Sequence, residues 1–226
     1  MHEAPVIAWV SECALRVAFA RADPDHLYAV AAAISQTRLA GLMDVIPASE
    51  SMLLVFDPAL LDPARIEDRL RAVLAFDAAH QSSERREIMI PFCVCKGCAP
   101  DLTAVASHAG CSADELLARF TEPTYQVGFL GFAPGFAYLR GLPESLAIPR
   151  RATPRIRVEA GSVAIGGGYA GIYPGPMPGG WWIIGRTSLV LFDPDRTCPA
   201  MLRPGDHIRF EPGLRSRPGV CDRASA

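Results

Sequence analysis

The stretch Gly171-Ile-Tyr-Pro-Gly-Pro-Met-Pro-Gly-Gly-Trp-Trp-Ile-Ile-Gly-Arg-Thr187 decides the class of the C-terminal half. Glycine and proline recur too often for a helix to run through it, and Ile-Tyr and Trp-Trp-Ile-Ile are short runs that favour strands. The same texture begins at Pro123: β-branched and aromatic runs are brief, and helical periodicity disappears. A β-barrel or sandwich with long loops follows. Its expected strands are Tyr125 to Leu130, Ser162 to Ile165, Trp181 to Ile184, Leu189 to Phe192 and His207 to Phe210. Between Ala160 and Gly185 no charge occurs, but nine glycines and three prolines interrupt the run, which argues against a membrane-spanning helix.

Upstream the pattern is different. A β-rich run from Ala14 to Ala20 precedes a helix opened by Asp23 and Pro24, whose apolar positions Leu27, Val30, Ala31 and Ile34 recur at helical spacing. Strands over Leu42 to Pro47 and Ser51 to Phe56 follow, joined at Ala48 to Glu50. Asp62 and Pro63 open a second helix carrying Ile66, Leu70, Val73 and Leu74. With Ile88 to Phe92 as a closing strand, the order reads βαββαβ, a ferredoxin-like α+β domain over residues 1–88, followed by a β-barrel domain over 89–226. Two short helices lie between them, one from Pro100 to His108 and one opened by the capping-box pair Ser112 and Glu115.

The composition narrows the partners. Half of the 226 residues are apolar, a fifth are charged and the formal net charge is -2, which favours neither nucleic acid nor an anionic membrane. The apolar run Val6 to Val10 is short and follows Glu3, so no signal peptide is expected. Seven cysteines, an odd number without a dense even pattern, read as reduced cytoplasmic thiols.

Four segments carry candidate chemistry. Gly128-Phe-Leu-Gly-Phe-Ala-Pro-Gly-Phe-Ala-Tyr-Leu139 could wall a pocket with Phe132 and Phe136. Pro149-Arg-Arg-Ala-Thr-Pro-Arg-Ile-Arg157 holds four arginines in eight positions. Guanidinium groups grip carboxylate or phosphate, and Pro149 and Pro154 stiffen the backbone that aims Arg150, Arg155 and Arg157. Gly161-Ser162 and the triple glycine Gly166 to Gly168 offer a hydroxyl and backbone amides suited to an anion. The opening stretch adds Tyr173, Trp181, Arg186 and Thr187. The chain has neither a phosphate-binding P-loop nor a G-x-S-x-G elbow, which weighs against Ser162 as a nucleophile. Glu159 reads as an ion-pair partner for a nearby arginine rather than a general base, and His26, His80 and His207 receive no role.

These motifs, with Pro100-Asp-Leu102, resemble the family of the 5-oxoprolinase B subunit, also called KipI or allophanate hydrolase subunit 1. The resemblance implies a cyclophilin-like barrel related to half of the carboxyltransferase unit of urea carboxylase, behind a ferredoxin-like domain. It further implies two partners, the A and C subunits, which with this chain convert 5-oxoproline to glutamate at the expense of ATP with Mg, the isolated chain binding no cofactor. On this reading Arg155 and Ser162 are catalytic. Arg150, Arg157, Phe132, Phe136, Tyr173, Trp181, Arg186 and Thr187 bind substrate. Inhibition of a histidine kinase, or a part in urea breakdown through allophanate, stand as alternatives.

The sequence departs from the family pattern at Tyr169, Ala170, Met177 and Phe120, which are expected near the site and leave the substrate in doubt. It also reads Cys93-Val-Cys-Lys-Gly-Cys-Ala-Pro-Asp-Leu102 where the family has Cys/Val-Tyr-Gly-Gly-Glu-Tyr-Gly-Pro-Asp-Leu. Three thiols could hold a soft metal with His108 as a fourth ligand, or form a redox pair beside Lys96. The preferred reading is reduced thiols without a metal.

Overall fold

The computed structural model describes residues 4–20, 24–37, 39–75 and 86–213. The chain divides into two compact units, Met1–Arg85 and Arg86–Ala226. Among the described residues no helix is long and apolar enough to cross a membrane. Asp23 and His80 lie outside the described residues.

The first unit is a four-stranded antiparallel sheet with two helices. Its elements are β1 (Val6–Ser11), β2 (Ala14–Ala18), α1 (Pro24–Gln36), β3 (Leu42–Pro47), β4 (Ser51–Phe56) and α2 (Pro63–Ala75), with strand order β1-β2-β4-β3. The cap expected at Asp62 is in place: its carboxylate accepts the Arg65 amide at 3.3 Å and its carbonyl the Ile66 amide at 3.0 Å. Leu27, Val30 and Ile34 of α1, Ile66 and Leu70 of α2, and Leu15, Val17, Met52, Leu54 and Phe56 of the sheet form one core. The two helical stripes therefore meet the alternating faces of β2 and β4, as the periodicities require.

The expected βαββαβ order needs correction. The strand expected to close this unit, Ile88 to Phe92, is β5 (Glu87–Phe92), and it belongs to the second unit. The edge beside β2 is taken instead by β1, with register Ile7 to Val17 and Trp9 to Leu15. A hairpin turning at Ser11 to Ala14 closes at far lower chain entropy than a return past α2, so the local partner takes the edge. Trp9 secures it, with its indole N–H donating to Glu67 at 2.9 Å and its ring 5.9 Å from Phe56.

The second unit contains α3 (Leu102–His108), α4 (Ala113–Thr121) and eight further strands. These are β6 (Tyr125–Leu130), β7 (Ala137–Arg140), β8 (Arg155–Val158), β9 (Ser162–Gly166), β10 (Tyr169–Ile172), β11 (Met177–Gly179), β12 (Trp182–Arg186) and β13 (His207–Pro212). Ser112 caps α4 with the reciprocal Glu115 bond, and that bond holds the Glu115 carboxyl below the ordinary range. Seven strands run in the order β12-β9-β10-β7-β6-β13-β5, with β13 and β5 parallel. The two ends of this sheet meet. Cys93, just past β5, donates to the Arg186 carbonyl at 2.7 Å and accepts the Arg186 amide at 2.9 Å, so the sheet is a nearly closed barrel.

Leu189 to Phe192 forms no strand: Phe192 makes an isolated bridge with Ala200, the Leu191 carbonyl accepts the Met201 amide at 2.9 Å, and the Leu191 side chain is buried in the barrel core. Ile90, Phe92, Tyr125, Val127, Leu139, Val163, Ile165, Ile172, Ile184, Ile208 and Phe210 fill the barrel, with Leu116 and Phe120 of α4 packed against it. β9 is buried along its whole length, because a second cluster of Ala164, Ile183, Phe136, Tyr173 and Trp181 covers its outer face. That outer layer is completed by the two-stranded ribbon β11-β8.

Closure depends on Gly185. A Cβ there would overlap the Phe92 ring and stand 3.0 Å from the Cys93 carbonyl oxygen. Gly185→Ala is therefore expected to destabilise the second unit by about 1–3 kcal/mol through overpacking. Urea unfolding followed by tryptophan fluorescence checks this, and an unshifted midpoint would count against the closure described.

Candidate active site

The outer layer of the barrel holds a cavity of about 250 Å³. Its walls are Phe132, Phe136, Tyr138, Tyr173 and Trp181, with Pro154 and the segment Pro178 to Gly180 along one side and Arg150 at the edge. The aromatic wall follows from the strand pleat. On β7, Ala137 and Leu139 point into the barrel, so Tyr138 points outward. Trp181, just before β12, lies over β9 and β10 where Gly166 and Gly171 leave room, since a Cβ at either would stand 3.0 Å from its ring. Phe136 meets the rings of Tyr138, Tyr173 and Trp181 edge-on at 5.1, 5.3 and 5.5 Å. Such edge-to-face packing fixes the wall before any ligand arrives.

Phe132 stands at the rim with 63 % exposure. Its φ is 71°, and Ala133 donates to the Gly131 carbonyl at 2.8 Å across it, which makes Phe132 the centre of a γ-turn. A left-handed backbone at a phenylalanine costs about 1–2 kcal/mol. The contact of its ring with Phe136, 5.4 Å between centroids, holds it there. An exposed apolar ring maintained in a strained turn is the kind of feature that accompanies a binding site.

The arginines separate by environment. Arg150 lies over the Trp181 ring at 5.9 Å, and no described carboxylate pairs with it. Arg155, expected to be catalytic, is 2.7 Å from the carboxylate of Asp101, outside the cavity lining. Arg151 joins the same oxygen at 3.1 Å and lies over Trp182 at 5.0 Å. The second oxygen of Asp101 accepts the Ile183 amide at 2.7 Å. Arg157 points outward and pairs with Glu159 at 2.7 Å, which holds the Glu159 carboxyl below and the Arg157 guanidinium above their ordinary values. The structure thus brings one of the three expected cations of this segment to the cavity and ties the other two elsewhere.

Ser162, Arg186 and Thr187 form another group, also away from the cavity lining. Ser162 and Arg186 are register partners on β9 and β12. The Thr187 amide donates to the Gly161 carbonyl at 2.8 Å, and the Gly161 amide to the Tyr173 carbonyl at 2.8 Å. The amides expected to receive an anion here are therefore committed to backbone partners. The triple glycine is a hairpin: Gly167 and Gly168, with φ of 62° and 85°, turn β9 into β10, and the Gly167 amide donates to the Ile148 carbonyl at 3.0 Å.

Sequence reasoning missed Asp101 and Tyr138. Asp101 was visible only as part of Pro-Asp-Leu, but an acid preceding four arginines in a half-apolar domain was an available signal. Of the departures expected near the site, Tyr169 borders the aromatic wall, 5.6 Å from Tyr138, and Met177 packs on the same cluster. Ala170 and Phe120 are corrections: both are buried in the core cluster of the barrel and its covering helix, the Phe120 ring tilted against that of Phe210 with centroids 4.7 Å apart. His108 packs against Trp182 at 5.3 Å.

The second unit of this mixed α+β chain is a nearly closed barrel whose outer layer carries an aromatic cavity lined also by Arg150. The chain belongs to the carboxyltransferase domain, subdomain C and D, family, whose model matches residues 5–202. It is 51 % identical over 138 residues to the 5-oxoprolinase B subunit of Escherichia coli O157:H7, covering 61 % of this chain and 62 % of that protein, so this match spans less than two thirds of either. It is 35 % identical over 198 residues to the 5-oxoprolinase B subunit of Bacillus subtilis, covering 81 % of each. The crystal structure of TTHA0988 superposes with a TM-score of 0.78 at 33 % identity, over 92 % of this chain and 41 % of that one. Kluyveromyces lactis urea carboxylase shares the fold alone, with a TM-score of 0.70 at 17 % identity over 92 % of this chain and 22 % of that one.

Burial pushes the Tyr138 and Tyr173 phenols above their ordinary value, with Arg150 partly opposing this at Tyr138 and the Trp181 backbone at Tyr173. The unfolded chain then releases these protons first, near pH ~10. Their stabilising contribution is complete below that pH and is lost as pH rises through the higher folded values. Thermal midpoints should fall on the alkaline side above pH ~10, less steeply in Tyr138→Phe. Differential scanning calorimetry across that range checks it.

Asp101→Ala would strand two guanidiniums and the buried Ile183 amide. It is expected to cost about 1–3 kcal/mol, and a smaller loss in chemical denaturation would show that the arginines find other partners.

Proposed function

We propose that this chain is the B component of a 5-oxoprolinase, acting with the A and C subunits to convert 5-oxoproline to glutamate at the expense of ATP. The uncompensated guanidinium of Arg150 at the edge of an aromatic cavity carries this reading. A five-membered lactam bearing one carboxylate offers a flat ring for Phe136, Tyr138 and Trp181 and a single negative charge for Arg150. The cation already lies over an aromatic face, so the carboxylate would complete an arrangement that the wall preorganises. The relatives' names favour this hydrolase over kinase inhibition or urea breakdown.

Opening the lactam to glutamate is uphill without coupling, which is the use of the nucleotide. The cavity walls supply one cation and no carboxylate, a poor match to a Mg-bound triphosphate, so we assign ATP and its metal to the partner subunits. Within this chain the tasks are to bind the carboxylate, orient the ring and exclude water. We assign Arg155 a positioning role through Asp101 rather than a chemical one, and we read the barrel as cyclophilin-like. The cytoplasm is the proposed compartment, where thiols stay reduced.

The test is reconstitution of the chain with the A and C subunits, 5-oxoproline and Mg-ATP, with glutamate as readout. Arg150→Ala should raise KM about tenfold to a hundredfold, the equivalent of a charged hydrogen bond of about 1.5–3 kcal/mol. Arg157→Ala, altering an exposed pair, should leave it within twofold. A competent mixture that makes no glutamate, or an Arg150→Ala enzyme with unchanged KM, would falsify the proposal.

A further inference from the structure

The loop between β5 and α3 carries Cys93, Cys95 and Cys98, whose sulfur atoms all lie within 4.8 Å of one another. Cys93 and Cys98 are buried, at 5 % and 1 % exposure, and Cys95 is half-buried. Nothing in the small-anion site uses them. We propose that these three thiols form a binding site for a single thiophilic metal ion, of the class of Zn²⁺, with a fourth position left to a water or an exogenous ligand.

Three observations support it. The first is distance. Three sulfurs on a triangle of side 4.8 Å lie at most about 2.8 Å from its centre, whereas a tetrahedral ion with Zn–S bonds of about 2.3 Å holds them about 2.2 Å from it, so each moves inward by at most about 0.6 Å. Rotation about the Cα–Cβ bonds supplies that without moving the backbone.

The second is the backbone that presents them. The Cys95 carbonyl accepts the amides of Cys98 at 2.8 Å and Ala99 at 2.9 Å, a tight turn that brings the last sulfur back to the first two. The Cys95 amide donates to the Cys93 sulfur at 3.4 Å, so the backbone orients that sulfur toward the other two. Lys96 lies within the turn at an exposed position.

The third is rigidity. The loop is attached to β12 at both ends. Cys93 pairs with Arg186 through two backbone bonds, and Asp101 donates its amide to the Ile183 carbonyl at 3.1 Å while accepting the Ile183 amide. A site held on both sides loses little further freedom on taking up an ion.

Binding is a balanced exchange: three S–H bonds are replaced by three S–metal bonds, and the protons pass to solvent with no change of oxidation state. His108, one residue that could have served as a fourth ligand, is not in the sulfur cluster and packs on Trp182. The ion would fix the loop that ends at Asp101, and so support the carboxylate that holds Arg151 and Arg155.

The experiment uses the whole chain, freed of metal by a chelator under reducing conditions and titrated with Zn²⁺. Native mass spectrometry should show one ion per chain, a pH indicator should report about three protons released per ion, and Co²⁺ should give thiolate charge-transfer absorption. Cys95→Ser, at a half-buried position, should fold as judged by circular dichroism and bind Zn²⁺ at least tenfold more weakly. Cys198→Ser, exposed and outside the cluster, should bind as the parent does. Zn²⁺ should raise the thermal midpoint of the parent and not of Cys95→Ser. The proposal is overturned if no ion is retained, if Cys95→Ser binds as tightly as the parent, or if the mass shows a disulfide within the loop in place of a metal.

Discussion

A carboxylate with 5 % exposure stands where four parts of the second unit meet. Asp101 opens α3, receives the Ile183 amide of β12, and accepts both Arg151 of the proline-rich loop and Arg155 of β8. A buried charge of this kind is tolerable only when its oxygens are fully engaged, and here one takes an amide and the other two guanidiniums. The ribbon β11-β8 and the loop before it carry Pro154, Pro178 and Arg150, the cavity side opposite the rings. Asp101 shares the task of holding that side to the barrel with the Trp182 indole N–H, which donates to the Pro149 carbonyl at 2.8 Å, and the Gly167 amide, which donates to the Ile148 carbonyl at 3.0 Å.

Much of this was legible along the chain, and the reason is locality. Pro63 behind its capping acid Asp62, the box at Ser112 and Glu115, and the runs over β3, β4 and β6 are decided within a few residues of themselves, so propensity and period suffice. The partners of β1 and β5 are not decided that way. Both are short and apolar, and either could serve as the outer strand of the first sheet. A hairpin three residues away settled the matter for β1, while Phe92 found Phe120 and Phe210 in the barrel at 6.0 and 5.7 Å. β8 and β11 were missed because four arginines and three prolines hide a ribbon whose only apolar support is the outer face of another sheet.

The candidate site shows the same division. Its aromatic content could be read directly, because rings in a glycine-rich segment have to pack somewhere and the strand pleat sends alternate ones outward. Which cation serves it could not. Arg150, Arg151, Arg155 and Arg157 are adjacent in sequence and alike in chemistry. Only the positions of Asp101 and Glu159 separate a guanidinium already neutralised from one still available. A motif rich in arginine therefore overstates the positive charge offered to a ligand, and the acids that cancel it can be fifty residues distant.

The parallel pairing of β5 with β13 has a consequence for synthesis. Glu87 lies opposite His207, 120 positions later in the chain. As the polypeptide leaves the ribosome, the first sheet has every strand it needs by Phe56 and its second helix by Ala75. The barrel cannot place β5 until β13, at His207–Pro212, has emerged. For that interval the strand's backbone edge and the Phe92 ring stand without their partners, which makes emergence of the last segment the step at which the nascent barrel is most open to chaperones and to misassociation.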